Sequence, residues 1–126
     1  MQAIETRNAP TAAGHYSQAI VHNGVVYVAG QLPIDPNDRD KPIGSIEEQT
    51  ERTLRNVEAI LVAAGSGLDL VLQMTIYVSD ISLWGGVNVA YSRMMGSHKP
   101  ARAVVPVKDL HYGYQIEIQA IAATRA

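Results

Sequence analysis

The 126-residue sequence has no cysteine, no phenylalanine and a single tryptophan, Trp84. The missing thiols exclude disulfides, thiolate nucleophiles and thiolate metal sites together. The missing phenylalanine leaves the core to Val, Ile, Leu, Ala and Met and limits any aromatic platform on which bases could stack. No Lys or Arg adjoins another, and the formal net charge is −2 with a pI near 6.0. Such a chain lacks the electrostatic footprint of a protein that neutralises phosphates, so nucleic acid is not expected as a partner. No segment approaches the roughly eighteen apolar residues of a membrane helix. Residues Met1-Gln2-Ala3-Ile4-Glu5-Thr6-Arg7 carry neither a basic start nor an apolar run, and the expectation is a cytoplasmic protein with no membrane partner.

What is present suffices for one hydrophobic core. A 47% hydrophobic content in a chain of this length predicts a single domain over residues 1–126. Asn23-Gly24 separates two β-rich runs, 17–22 and 25–30, and predicts a hairpin with a type I′ turn. The three prolines and polar cluster of 31–42 predict a surface loop. Ser45 with Glu48 forms a capping-box pattern ahead of Thr50, Leu54, Val57, Ile60, Leu61 and Ala64, so a helix is expected over about 46–64, stopped by Gly65. Residues 70–78 read as a central strand. Leu83, Val87, Tyr91 and Met94 recur at helical spacing over about 82–95, with Gly85-Gly86 weakening the first turn.

Two strands, 99–107 and 115–122, close the chain, and Ala3–Thr6 offers a short extra one. The strand–helix–strand–helix–strand order implies crossover connections and a mixed sheet with both helices on one face. The strands also read as apolar on both sides, so the uncovered face is expected to meet another subunit.

Arg102 is a fixed positive charge inside an otherwise apolar strand, and it needs a partner. Folding 99–107 against 115–122 as an antiparallel hairpin about Asp109-Leu110 sets Arg102 opposite Glu117 on one face. Two readings stay open: a structural cross-strand ion pair, or a guanidinium that holds a small carboxylate while the acid manages a proton or a water. Tyr16 lines a pocket at a strand mouth or merely packs, and Asn88 is a solvated helix residue unless a site recruits it. His15, His22, His98 and His111 show no metal-ligand spacing, and neither a P-loop nor a GxGxxG cradle occurs. No metal or organic cofactor is expected.

The motifs Asn8-Ala9-Pro10, Tyr16-Ser17-Gln18, Gly30-Gln31-Leu32-Pro33, Glu48-Gln49-Thr50, Ala63-Ala64-Gly65, Val87-Asn88 with Tyr91, Pro100-Ala101-Arg102 and Ile116-Glu117-Ile118 follow one another along nearly the whole chain. In order and spacing the sequence resembles the RidA (YjgF/YER057c) family. The resemblance implies an α+β, chorismate-mutase-like fold: a mixed sheet of about six strands with two helices on one face. It further implies a homotrimeric barrel with sites between subunits. The implied activity is cofactor-free hydrolysis of reactive enamine/imine intermediates such as 2-aminoacrylate to 2-ketoacids and ammonia. In that reading Arg102 clamps the substrate carboxylate, Glu117 orients or activates water, and Tyr16, Asn88 and the backbone around Gly30 and Val104 complete the cleft. Nearby Arg102 would keep Glu117 ionised. Three positions depart from the family pattern: Ala29 replaces a serine, Val104 a cysteine, and His15 a proline. The loss of a hydroxyl at Ala29 allows a different imine, and His15 could add an acid–base group at the pocket mouth. The competing expectation is a non-catalytic trimer that binds small carboxylates or a protein partner.

Overall fold

The computed structural model describes all 126 residues. The chain folds as β1 (Gln2–Ile4), β2 (Ala19–His22), β3 (Val25–Gln31), α1 (Ile46–Ala63), β4 (Val71–Val78), α2 (Trp84–Met95), β5 (Ala101–Pro106) and β6 (Ile116–Ala123). One mixed sheet takes the order β1-β2-β3-β6-β4-β5, with only the β4–β5 pair parallel. This is the expected α+β arrangement of six strands and two helices.

Local chemistry explains the elements read from sequence. Asn23 (φ 51°) and Gly24 (φ 77°) both adopt the left-handed conformation that a type I′ turn requires. Ser45 Oγ accepts from the Glu48 amide while Glu48 Oε1 accepts from the Ser45 amide, which closes the capping box at the start of α1. At its end the Ser66 amide donates to Leu61 O and the Gly65 amide to Val62 O, the paired bonds of a Schellman stop. A short 3₁₀ turn, Ile81–Leu83, precedes α2, and Asp80 caps it by accepting from the Ser82 amide at 2.8 Å.

Leu54, Val57, Ile60 and Leu61 of α1 are fully buried against Val26, Met74, Ile76, Val78, Ile116 and Ile118 on one face of the sheet. Each such side chain contributes about 1.5–3 kcal/mol through loss of apolar surface to water. α2 adds Val87, Ala90, Tyr91 and Met95. The opposite face carries the alternate residues Ile20, Tyr27, Gln73, Thr75, Tyr77, Val105, Glu117, Gln119 and Ile121. It is a mixed surface rather than the continuously apolar one expected, because glutamine, threonine and glutamate interrupt the aliphatic positions.

The pairing of β5 corrects the sequence reading. β5 does not form a hairpin with β6; β4 lies between them, antiparallel to β6 and parallel to β5. β4, far more buried than β5, takes the place beside β6, and the twelve-residue α2 supplies the crossover that a parallel neighbour needs. Arg102 therefore sits beside Met74 and Glu117 beside Tyr77. Met74 points under the helices and Tyr77 away from them, so Arg102 and Glu117 occupy opposite faces of the sheet. The cross-strand ion pair does not form.

Candidate active site

Arg102 lies at the sheet edge with its guanidinium turned towards α2. Its Nη1 donates to Asn88 Oδ1 at 3.0 Å, and its Cζ stands 4.8 Å from the Tyr91 ring centroid and 5.9 Å from that of Trp84. No carboxylate pairs with it. Asn88 is thus a partner of the guanidinium, not a free helix residue. Around them is a cleft of about 320 Å³ that also includes His98 and Lys99, and its permanently charged side chains, Arg102 and Lys99, are both basic. The buried Tyr91 hydroxyl has no hydrogen-bond partner, and burial pushes its acidity down, raising its pKa against the opposing pull of Arg102.

Glu117 faces a second cleft, of about 450 Å³, lined by Tyr16, Ala29, Gly30, Ile34, Arg39, His111 and Tyr112 among others. The β3–β6 register shifts between Val28 and Gln31, which inserts a bulge at Ala29-Gly30 opposite the carboxylate. A methyl group on Gly30 would collide with Glu117 Oε2. Only glycine leaves the carboxylate its place. Burial raises the Glu117 pKa above the ordinary carboxylate value, and the pull that opposes it comes from His111 rather than Arg102. That corrects the expectation that Arg102 keeps this acid ionised, and the opposed faces give the reason.

Tyr16 reaches this cleft on an arm fixed by a buried glutamine. Gln18 Oε1 accepts from the Thr6 amide at 2.7 Å, while its Nε2 donates to Thr6 O at 3.1 Å and Pro10 O at 2.8 Å. The far wall is held in the same manner: Asn56 Nδ2 donates to Leu32 O at 3.0 Å and Ile34 O at 2.8 Å. A larger cleft, about 620 Å³, follows the N-terminal arm and includes neither Arg102 nor Glu117. The two smaller clefts contain the candidate groups, the Arg102 guanidinium and the perturbed acid Glu117.

Of the residues singled out in the sequence, Tyr16, Gly30 and Glu117 share one cleft, and Arg102 and Asn88 share the other. Val104 lies two residues beyond Arg102, its side chain packed on the core, leaving only its edge-strand backbone to serve a ligand. His15 is exposed and lines neither cleft. His111 and Arg39 were not singled out; the proximity of His111 to Glu117 in sequence was the available signal, whereas Arg39 comes from a loop whose path no pattern specifies. No three His, Asp or Glu side chains gather as metal ligands, and no helix is long and apolar enough to cross a membrane.

The chain is a two-helix, six-stranded α+β domain that carries Arg102, without an acidic partner, in one cleft and the raised-pKa Glu117 in another. The chain belongs to the YjgF/RidA/RutC family: the model described as endoribonuclease L-PSP matches residues 6–124. It is 42% identical over 121 residues to a RutC family protein of Pyrococcus horikoshii, covering 96% of each chain. It is 38% identical over 121 residues to the 2-iminobutanoate/2-iminopropanoate deaminase of Rattus norvegicus, covering 96% of this chain and 88% of that protein. Among solved structures, E. coli TdcF with bound serine superposes with a TM-score of 0.92 at 31% identity, over 99% of this chain and 100% of the other.

Proposed function

We propose that the protein hydrolyses small 2-imino acids and their enamine tautomers, including 2-aminoacrylate, to 2-oxo acids and ammonia, as a homotrimer whose sites combine Arg102 of one copy with Glu117 of the next. The carrying observation is the separation of two uncompensated groups. Neither Arg102 nor Glu117 has an oppositely charged partner within salt-bridge distance, and the sheet separates them. Each is half of a site that a head-to-tail neighbour completes, and a ring of such contacts closes. The name of the rat relative supports the reaction class.

The chemistry asks little of the protein. A protonated imine carbon is already electrophilic, so the task is to hold the carboxylate and place one water. Arg102, fixed by Asn88, supplies a planar fork for the carboxylate. The water oxygen bonds to C2 as Glu117 accepts its proton, and the C=N bond becomes a single bond. Glu117 returns that proton to nitrogen and takes the hydroxyl proton as the C2=O bond forms and the C–N bond breaks, and passing that proton to the departing ammonia as ammonium restores the carboxylate. A carboxylate whose pKa is raised suits both halves of this exchange.

The test generates imines with an amino-acid oxidase and follows release of 2-oxo acid and ammonia. Arg102→Ala and Glu117→Ala are each expected to be inactive. Subunits of the two variants, unfolded and refolded together, are expected to regain activity at about a quarter of the sites, as random mixing in a ring requires. Full activity of either variant alone overturns the proposal, and so does the failure of a mixed, assembled sample to recover.

A further inference from the structure

The segment entering β6 holds a residue in a conformation that the fold itself does not explain. Tyr112 lies in the turn His111–Gly113 with φ 62° and ψ 20°, the left-handed region that bulky residues rarely adopt, and Gly113 follows it at φ 76°. Strain at such a position persists where the surroundings or a function maintain it. Burial within the single chain does not offset it, because Tyr112 remains 63% exposed there. What the conformation achieves is a direction: the ring stands 5.5 Å from the His111 ring and edge-on to the buried Tyr114 at 6.3 Å, on the rim of the Glu117 cleft. Tyr16, 52% exposed, stands on the same cleft, whose lining includes Ala29 and Ile34. In a chain with seven aromatic residues besides histidine (six Tyr and one Trp), two of the exposed ones line the cleft of the acid.

We infer that Tyr112 is a specificity residue, and that with His111 and Tyr16 it forms a ring-lined wall selecting 2-imino acids with planar aromatic side chains. The inference rests on the deaminase reading for the reaction and adds the substituent. With the carboxylate at Arg102 and C2 beside Glu117, the side chain of the imine extends along the His111–Tyr112 wall. Offset or edge-to-face contact with those rings favours an aryl group over a methyl or ethyl group. The methyl of Ala29 offers such a group no hydrogen bond.

The experiment compares kcat/KM for imines produced from phenylalanine and tryptophan with those from alanine and 2-aminobutyrate, in the wild type and in Tyr112→Phe, Tyr112→Asn and Tyr112→Gly. Asparagine and glycine tolerate the left-handed backbone, so both variants keep the turn while removing the ring. The wild type is expected to prefer the aryl imines by about tenfold, Tyr112→Phe to keep that ratio, and the other two to lose most of it. An unchanged ratio in Tyr112→Asn and Tyr112→Gly overturns the inference, as does a change in oligomeric mass with the ratio per site intact. Absence of turnover on every imine overturns the deaminase reading instead. Calorimetric binding of phenylpyruvate against pyruvate then decides the wall on its own: a preference that Tyr112→Asn abolishes supports it, and equal binding overturns it.

Discussion

Gly30 and Glu117 compete for space: a Cβ on Gly30 would lie too close to the Glu117 carboxylate oxygen for both to keep their places. The clash falls on the far end of a flexible side chain, which can swing aside at low cost. Gly30→Ala is therefore expected to displace the carboxylate while leaving the fold intact. Imine hydrolysis should fall by about 10²-fold or more, the contribution of a positioned acid–base group, with the melting temperature nearly unchanged. Steady-state rates beside a thermal melt check both halves of this prediction.

Arg102→Lys retains the charge but loses the planar fork that Asn88 orients. A point charge on a flexible stem cannot hold a carboxylate bidentately. We expect KM for imines to rise by about tenfold or more and 2-oxo acid binding to weaken in parallel. Asn88→Ala should produce a smaller loss of the same kind, since it leaves the guanidinium present but unfixed. Titration with pyruvate reads the affinity directly.

The raised pKa of Glu117 predicts a pH signature with a definite sign. Because the native state binds this proton more tightly than the unfolded chain, the group favours folding below the ordinary carboxylate range. That advantage is lost as pH rises through the folded-state pKa. At neutral pH the ionised, half-buried carboxylate costs stability. Glu117→Gln is expected to be inactive yet to melt no lower than the wild type at pH 7, and the acid limb of the wild-type rate profile should lie above the range of an exposed glutamate. A variant that melts well below the wild type at pH 7 would contradict this account.

Asn56 is the buried tie between α1 and the loop after β3, and its amide satisfies the carbonyls of Leu32 and Ile34. Asn56→Ala leaves two carbonyls without that partner, which costs about 1–3 kcal/mol. Since Leu32 and Ile34 line the Glu117 cleft, a weakened ligand affinity should accompany the stability loss. Denaturant unfolding and hydrogen exchange over 32–36 measure the two effects.

The elements legible in the sequence were those encoded by neighbouring residues. The Asn23-Gly24 turn, the Ser45–Glu48 capping box and the Gly65 stop each act within a few positions, and the structure contains all three. The partner of β5 was not legible, because matching the numbers of two strands assumes that nothing lies between them. The apolar run of β4 competes for that place and wins by burial on the helix-covered face. The buried polar residues were missed for a related reason: on α1, Gln49, Thr53 and Asn56 sit at core positions yet are polar. Gln49 finds Gln115 through two bonds of 2.9 Å, a pairing across 66 positions that no helical period announces. The site residues were named from order and spacing, but their division between two faces emerged only from the register.

β6 occupies the interior of the sheet, yet it follows the other five strands in chain order. Its register joins Ala123 to Val25, and the following residues fasten the β2–β3 turn through Thr124 and the end of α1 through Arg125. The hairpin and the first helix can form from near neighbours, but the two halves of the sheet stay apart until β6 pairs with both β3 and β4. Completion of the fold is thus governed by distant pairing, with the slower kinetics such topologies show. Removal of β6 would leave two unzipped sheet edges, β3 and β4, instead of trimming one margin.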